Sequence, residues 1–448
     1  MYCQGEGGSA IIIIVSMEII SASPRLLKLC ALTATLSLSA AVTSFAALTL
    51  QKVPPLTVEQ APAYPENLAR YYFGAQVEVD PDSNKPTSSK SEEATLLCSD
   101  PTVGYALSNG SKTLLISLSK IENIDNISFL NNGVKGDVTI STSSAKLPAD
   151  SPQWHTVSQQ ELTSDAVTAK VGPSEAKYVK LTFNVTEPGR IASLGVYSTP
   201  TVAAFTMPRA RKHDVDQSNS FALISYNLTD LHAKARALYV SSGDEVSRAN
   251  NMIDDQPSTT YTFASNDVSP TTVIDLGKVT KLSRISTLYS PRPGNVEFFV
   301  LESLPGSRPE KAPKTLKLDE AALANMKSVG LVMDNSTGRA AIDFPETTGR
   351  YVMVKWAPAT QSTPLSVAEI AAFGGGKAGN LIAANRTNAA REEVESDGKT
   401  VADGKDLGDG KDFGKEMPEE GPPAEGPPPP LPDPPPFVFV PEVLPLSP

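Results

Sequence analysis

Cysteine is nearly absent from this chain. Of three cysteines, Cys3 and Cys30 lie near the N-terminus and only Cys98 falls in the remainder. A single cysteine forms no internal disulfide, so the folded part must hold itself together by burial, which favours full-sized domains over a stapled mini-scaffold. Histidine is almost as scarce: His155, His213 and His232 show neither a nucleophile pattern nor zinc spacing. No G-x-S-x-G, phosphate-binding glycine loop or H-E-x-x-H occurs. The chain is therefore expected not to be an enzyme, and no catalytic residue is assigned. There is no basic stripe for a phosphate backbone, so no nucleic-acid partner is expected. With two tryptophans, Trp154 and Trp356, no aromatic sugar platform stands out. Beyond the N-terminal region, no apolar run is long enough to span a bilayer, so the mature chain has no expected transmembrane span.

What is present begins with an export pattern. Arg25 and Lys28 precede "LCALTATLSLSAAVTSFA", and Ser44 and Ala46 are the small residues of an A-x-A-like cleavage site. Residues 1–46 thus read as an N-terminal extension and signal peptide, with Met17 a better start than Met1. A membrane anchor is the alternative, but threonines and serines interrupt the run. The expected location is exported: periplasmic, cell-surface or extracellular.

An internal repeat organises the rest. "TLLISLSKIENIDNIS" (113–128) lies without a gap over "TTVIDLGKVTKLSRIS" (271–286). "KYVKLTF" (177–183) faces "RYVMVKW" (350–356), and "IASLGVY" (191–197) faces "VAEIAAF" (367–373). Asn67-Leu68 and Asn227-Leu228 open the two copies. Residues 55–200 and 215–375 are therefore expected to be two domains of about 150 residues, a length that buries its own core. The apolar runs are short, rich in Val, Ile, Tyr and Phe, and bounded by turn residues, as strands are. "YVMVKW" alternates like a strand with one buried face. Only "KLDEAALANMKSV" (317–329) suggests a short helix. The pattern predicts an all-β chain: two tandem antiparallel jelly-roll β-sandwiches. Residues 377–448 are acidic and then Pro-rich, with a composition that cannot bury enough apolar surface to fold, and they end on the apolar "FVFVPEVLPLSP".

Copy 2 carries a family likeness in "NNMIDDQPSTTYTF", "TTVIDLG" and "VAEIAAFG". It resembles the discoidin, or coagulation factor 5/8 type C, domain of the galactose-binding-like superfamily; copy 1 is a degenerate version. The resemblance implies a jelly roll that binds carbohydrates, phospholipid surfaces or protein partners through loops at one end. It further implies one structural Ca2+ in the second sandwich, with ligands at Asp254, Gln256, Thr259 and Glu369. The sequence departs from the family at Asp255, where glycine is usual; that position needs a left-handed backbone, which aspartate tolerates better than most residues. Gln256 also replaces a more usual aspartate or asparagine. Copy 1 has Cys98, Val103 and Ser193 in place of Asp254, Thr259 and Glu369.

Adjacent Asp254 and Asp255 point apart in extended backbone, so they do not act as a catalytic acid pair. Asp254 has a plainer reading as a turn cap that bonds backbone N–H groups. Ligand-facing candidates are Tyr239 and Arg248 near one loop, and Tyr289, Arg292 and Asn295 in "YSPRPGN". Rings beside hydrogen-bonding groups suit sugar faces, and Arg pairs with anions; an Arg between prolines is also a common solvated turn residue. The expected function is an exported binding protein whose second sandwich recognises a glycan or other cell-surface component. The alternative is a structural or assembly protein of the envelope or matrix, whose sandwiches and tail bind protein partners.

Overall fold

The computed structural model describes residues 48–374, apart from 81–91, 208, 210–225, 306–311 and 361–362. The segment expected to be a signal peptide, the C-terminal tail and the partners expected of that tail lie outside the described residues. All described residues belong to one compact unit, Met1–Arg391.

The described residues open with β1 (Leu48–Lys52), whose partners come much later. The first sandwich follows: β2 (Gln76–Val79), β3 (Gly104–Leu107), β4 (Gly110–Asn132), β5 (Lys135–Ser143), β6 (His155–Glu161), β7 (Ala166–Glu187) and β8 (Gly189–Ser198). Its antiparallel order is β3-β8-β4-β7-β5-β6, with β2 on β4. A short helix, α1 (Val202–Thr206), precedes the second set. That set comprises β9 (Arg236–Val240), β10 (Tyr261–Thr262), β11 (Thr271–Tyr289), β12 (Pro293–Leu301), β13 (Thr315–Leu318), β14 (Ser328–Asn335), β15 (Arg339–Pro358) and β16 (Ser366–Phe373). Its strands run β9-β11-β15-β12-β14, with β16 on β11 and β10 on β16. Strand for strand, β10-β16-β11-β15-β12-β14 repeats the order of the first set.

The repeat extends to irregularities. In both sheets the longest strands bend where the register breaks, and this lets one hydrogen-bonded sheet wrap into two layers. The breaks in β4 fall between Ser117 and Glu122 and between Ile124 and Asn126. Those in β11 fall at the aligned positions, Asp275 to Thr280 and Leu282 to Arg284. The opening asparagines also do the same work. Asn67 Oδ1 accepts from the N–H of Ala69 and Val196 (3.0 and 3.1 Å). Asn227 Oδ1 accepts from those of Thr229 and Ala372 (3.1 and 3.0 Å).

In the first sandwich, β7 alternates as a strand with one buried face should: Val179, Leu181 and Phe183 point into a core with Ile116, Ile127 and Phe129. The second sandwich departs from that expectation. Along β15, Val352, Val354 and Trp356 face one core, while Tyr351 and Met353 on the opposite side are equally enclosed. What covers them is β1, which lies between β9 and β13. Leu50, Leu316 and Leu318 pack there with Tyr239, Val273 and Phe299. The helix expected within 317–329 is α2 (Glu320–Asn325), capped by Asp319, whose carboxylate accepts the Ala322 N–H at 2.7 Å. The first sandwich is thus inserted between β1 and the rest of the second. Val53 and Tyr64 also belong to the second sandwich's core, so its territory includes part of what reads in sequence as the start of copy 1. No helix among the described residues is long and apolar enough to cross a membrane.

Candidate functional site

The turn 253–260 lies where the two sandwiches meet. Asp255 takes the left-handed backbone, with φ of 57°. Its carboxylate receives the Arg70 guanidinium in a two-pronged pair, Nε to Oδ2 at 2.7 Å and Nη2 to Oδ1 at 2.5 Å. Tyr197 of the first sandwich donates its hydroxyl to the Asp255 carbonyl (3.0 Å). Arg70, Tyr197 and Asp255 are all buried. Burial raises the Asp255 carboxyl above its ordinary range and Arg70 opposes that rise; the paired geometry is that of an ion pair.

Asp254 points the other way, into its own sandwich. Its Oδ1 accepts the Gln256 N–H (3.1 Å), so the turn-capping role is present. Gln256 Nε2 donates to Asp254 Oδ2 (3.1 Å) and lies 3.3 Å from the Ala63 carbonyl. Its amide nitrogen, not its oxygen, therefore faces Asp254, and this is not the arrangement of a side-chain metal ligand. The Thr259 hydroxyl sits 2.8 Å from Asp254 Oδ2, 3.0 Å from Oδ1 and 2.9 Å from the Gln256 carbonyl. With one proton it satisfies one of them. Glu369, on β16, is buried, and neither of its carboxylate oxygens has a hydrogen-bond partner. Burial, then the charges of Asp254 and Asp255, push its carboxyl well above the ordinary range; burial does the same to Asp254.

The Asp254 carboxylate, the Thr259 hydroxyl and the Gln256 carbonyl gather at the turn, and the Glu369 carboxyl lies within electrostatic reach on β16. Oxygen donors of this kind suit a hard cation such as Ca2+. Among the described residues, no three His, Cys, Asp or Glu side chains gather around a metal position, so carbonyl and hydroxyl oxygens would complete the shell. Among the described residues, the corresponding turn of the first sandwich offers no such set. Cys98 there is buried, its thiol against the Thr95 carbonyl and pushed up to about 12 by burial, and Ser193 stands where Glu369 does.

Residues that sequence reading passed over form the rest of the seam. The first sandwich's own turn extends Asp100 toward the second. Asp100 Oδ1 caps Thr102 (2.9 Å to N) and its Oδ2 accepts Arg284 Nε at 2.6 Å. Arg284 is 1 % exposed, and its Nη1 reaches both oxygens of Asp343 at 3.0 Å. Each turn thus pairs an aspartate with a buried arginine of the other sandwich. Arg339 also reaches across to Asn132. The one hint in sequence was Arg284 itself, a charge inside the apolar strand "KLSRIS".

The ligand-facing candidates scatter. Tyr239 is fully buried, its hydroxyl donated to the Pro313 carbonyl (2.8 Å); β1 and β13 cover it, so no ligand reaches it. Tyr289, Arg292 and Asn295 do share one hollow, but it holds only about 10 Å³, the space of a single water. Tyr289 gives its hydroxyl to Asp334 (2.7 Å). Arg292 staples its loop through the carbonyls of Thr363 (2.8 Å) and Pro364 (2.6 Å). These two therefore build the loop.

Arg248 lies elsewhere, on an open cleft of about 790 Å³ between the segments 244–248 and 260–266, closed by Pro364. Asp244, Glu245 and Arg248 are exposed along one side, and Thr260, Thr262, Ser265 and Asn266 along the other. Arg248 pairs with Glu245. Beneath, Tyr261 gives its hydroxyl to the Ser242 carbonyl (2.6 Å) and meets Phe263 edge-on, centroids 5.1 Å apart. Gly243 (φ 135°) makes this possible, because a Cβ there would stand 2.2 Å from the Tyr261 hydroxyl. Ser241 and Ser242 both bond Asp267 (2.5 Å), which in turn caps Ser269 (3.0 Å). The cleft walls are thus fixed by internal bonds.

No family model and no curated protein matches this sequence. Among solved structures, the chain is similar to a Ruminococcus gnavus fucosidase in complex with fucose, at 18% identity and TM-score 0.27 over 34% of this chain and 27% of that one. It therefore spans about a quarter of that enzyme's length. A striped bass (Morone saxatilis) serum fucolectin aligns at 13% identity and TM-score 0.25, over 70% of this chain and 98% of that one. A CBM32 module produced by Clostridium perfringens aligns at 18% and 0.24, over 34% and 100%. The sandwich assignment rests on strand order and register.

Proposed function

We propose that this protein is a non-catalytic binding protein that takes a carbohydrate or another hydroxyl-rich cell-surface component in the cleft of its second sandwich. The observation that supports the reading is the cleft itself. It is large enough for one or two sugar rings, falling within the roughly 300–1,000 Å³ of ligand sites. It presents exposed hydroxyl, amide, carboxylate and guanidinium groups on walls held by internal bonds, so little ordering is left to oppose binding. The discoidin-like motifs of the same sandwich point the same way.

A glycan array probed with the full chain should give specific binding. Asp244→Asn with Arg248→Ala should weaken it tenfold or more, about 1.4 kcal/mol, with an unchanged melting temperature because both side chains are exposed. An array without any binding would favour the assembly role.

We also propose that Asp254, Thr259, Glu369 and the Gln256 carbonyl hold one structural Ca2+. The unpartnered Glu369 carboxylate supports this, since a buried bare charge is costly without a counter-charge. An ion bound only by the native state stabilises it, by about 2.7 kcal/mol at a hundredfold excess over Kd. Melting in Ca2+ should therefore occur at higher temperature than in chelator, and Glu369→Gln should remove the difference. Identical wild-type melts would rule the ion out.

A further inference from the structure

We propose that the free edge of β14 is a docking site for residues 437–440 of the same chain, "FVFV", which add to the second sandwich as a further strand.

An edge strand offers a row of backbone N–H and C=O groups to any segment able to pair with it, and proteins guard such edges with charge, shortness or cover. Most edges among the described residues are guarded. β2 and β3 have four residues each, and β10 has two. β13 shows Lys317 to solvent, and β6 shows His155, Gln159 and Glu161. β14 differs. It has eight residues without lysine, arginine, glutamate or proline, and its one ladder is with β12. Its single charge, Asp334, is buried; the carboxylate accepts the Tyr289 hydroxyl (2.7 Å) and the Thr337 and Gly338 N–H groups (2.8 and 2.9 Å). Among the described residues, β14 makes no backbone hydrogen bond outside the β12 ladder.

Both faces of this edge are apolar. Leu331 and Met333 stand on the outer face, opposite Glu297 and Asn295 of β12, and are 53% and 74% exposed. Val329, Val332 and Ile342 border the core on the inner side and are only partly buried. A strand added here meets apolar groups whichever way its side chains point. A strand with one polar face would waste half of that surface. Residues 437–440 have none: phenylalanine and valine alternate, so both faces are apolar, and both residue types favour strands. Pro436 and Pro441 bracket the segment, and lacking an N–H they end the pairing after four residues.

Reach favours the chain's own segment over that of a second copy. About 60 residues separate β16 from Phe437, enough to extend roughly 200 Å. The entropy lost in closing a loop grows only with the logarithm of its length. A tether also keeps the segment near the edge however dilute the protein is.

Hydrogen exchange of the full chain, compared with the same chain ended after Pro436, tests this. The β14 amides that point away from β12 should exchange about tenfold or more slowly in the full chain, and β6 should exchange alike in both. Phe439→Asp on the segment and Leu331→Lys on the edge should each abolish the protection. Leu331 is exposed, so its variant should melt with the shortened chain, and protection lost without any drop below that temperature reports docking and not misfolding. Protection should hold over about a hundredfold range of protein concentration, because pairing within one chain does not depend on it. Protection that rises with concentration, together with a dimer in sedimentation, would overturn docking within one chain in favour of strand exchange between copies. Equal β14 exchange in the two chains would overturn the docking outright. A matching change in β6 would overturn the choice of edge.

Discussion

Arg284→Met should cost this protein roughly 3–5 kcal/mol, because it strands a buried carboxylate. Asp100 is wholly enclosed and its Oδ2 takes the Arg284 Nε at 2.6 Å. Methionine fills the volume but leaves that oxygen unpaired. A surface pair provides the contrast: Arg350 meets Asp275 at 2.8 Å, but both are partly exposed, so Arg350→Met should cost about 1 kcal/mol or less. Chemical denaturation of the two variants measures both. Acid adds a second readout. Burial works against the charged form of Asp100, yet Arg284 and Thr102 more than offset it and hold the carboxyl below its ordinary range. A depressed native value means that its contribution is present above the unfolded value, about 3.9, and is lost as pH falls through the native one. Asp254 and Glu369, raised in the native state, act in the opposite sense. The clean signal is therefore the difference between wild type and Asp100→Asn, which should shrink as pH drops below about 4.

The second large effect concerns β1. Leu50 is 0% exposed and packs against Tyr239, Val273, Phe299 and Met353 of the second sandwich. Leu50→Ala should destabilise by roughly 2–5 kcal/mol, and the loss should show as faster exchange in β9 and β13, not in the first sandwich. Removing residues 48–52 has a larger consequence. It takes out the strand that joins β13 to β9 and uncovers Tyr351 and Met353. A fragment of residues 215–375 should therefore give no sharp melt, although its sequence reads as a complete repeat. A sharp melt of that fragment at the temperature of the full chain would show that β1 is dispensable.

Much of the architecture was open to reading because it is local. Strand character follows from β-branched and aromatic runs between turn residues, and the repeat was visible as aligned residues that prove to share strand order, register breaks and the asparagine clasp at Asn67 and Asn227. The left-handed Asp255 was likewise foreseeable, since the turn itself demands it. Burial partners are another matter. Tyr239 looks like a ligand residue in its own segment, and it becomes core only when β1, nearly two hundred positions earlier, and β13 close over it. Arg292 reads as a free loop arginine until the carbonyls of Thr363 and Pro364 fold back onto it.

By itself, the sequence determined that this is an all-β chain of antiparallel strands, and it drew attention to the turn at Asp254 and Asp255. Short-range patterning suffices for that, because strands and turns are set by near neighbours. Only the tertiary structure decided what the turn does. One of its acids caps the turn itself and the next pairs with Arg70 of the other sandwich, and no spacing along the chain specifies that meeting. Long-range contacts are chosen by complementary burial and charge across elements far apart in sequence.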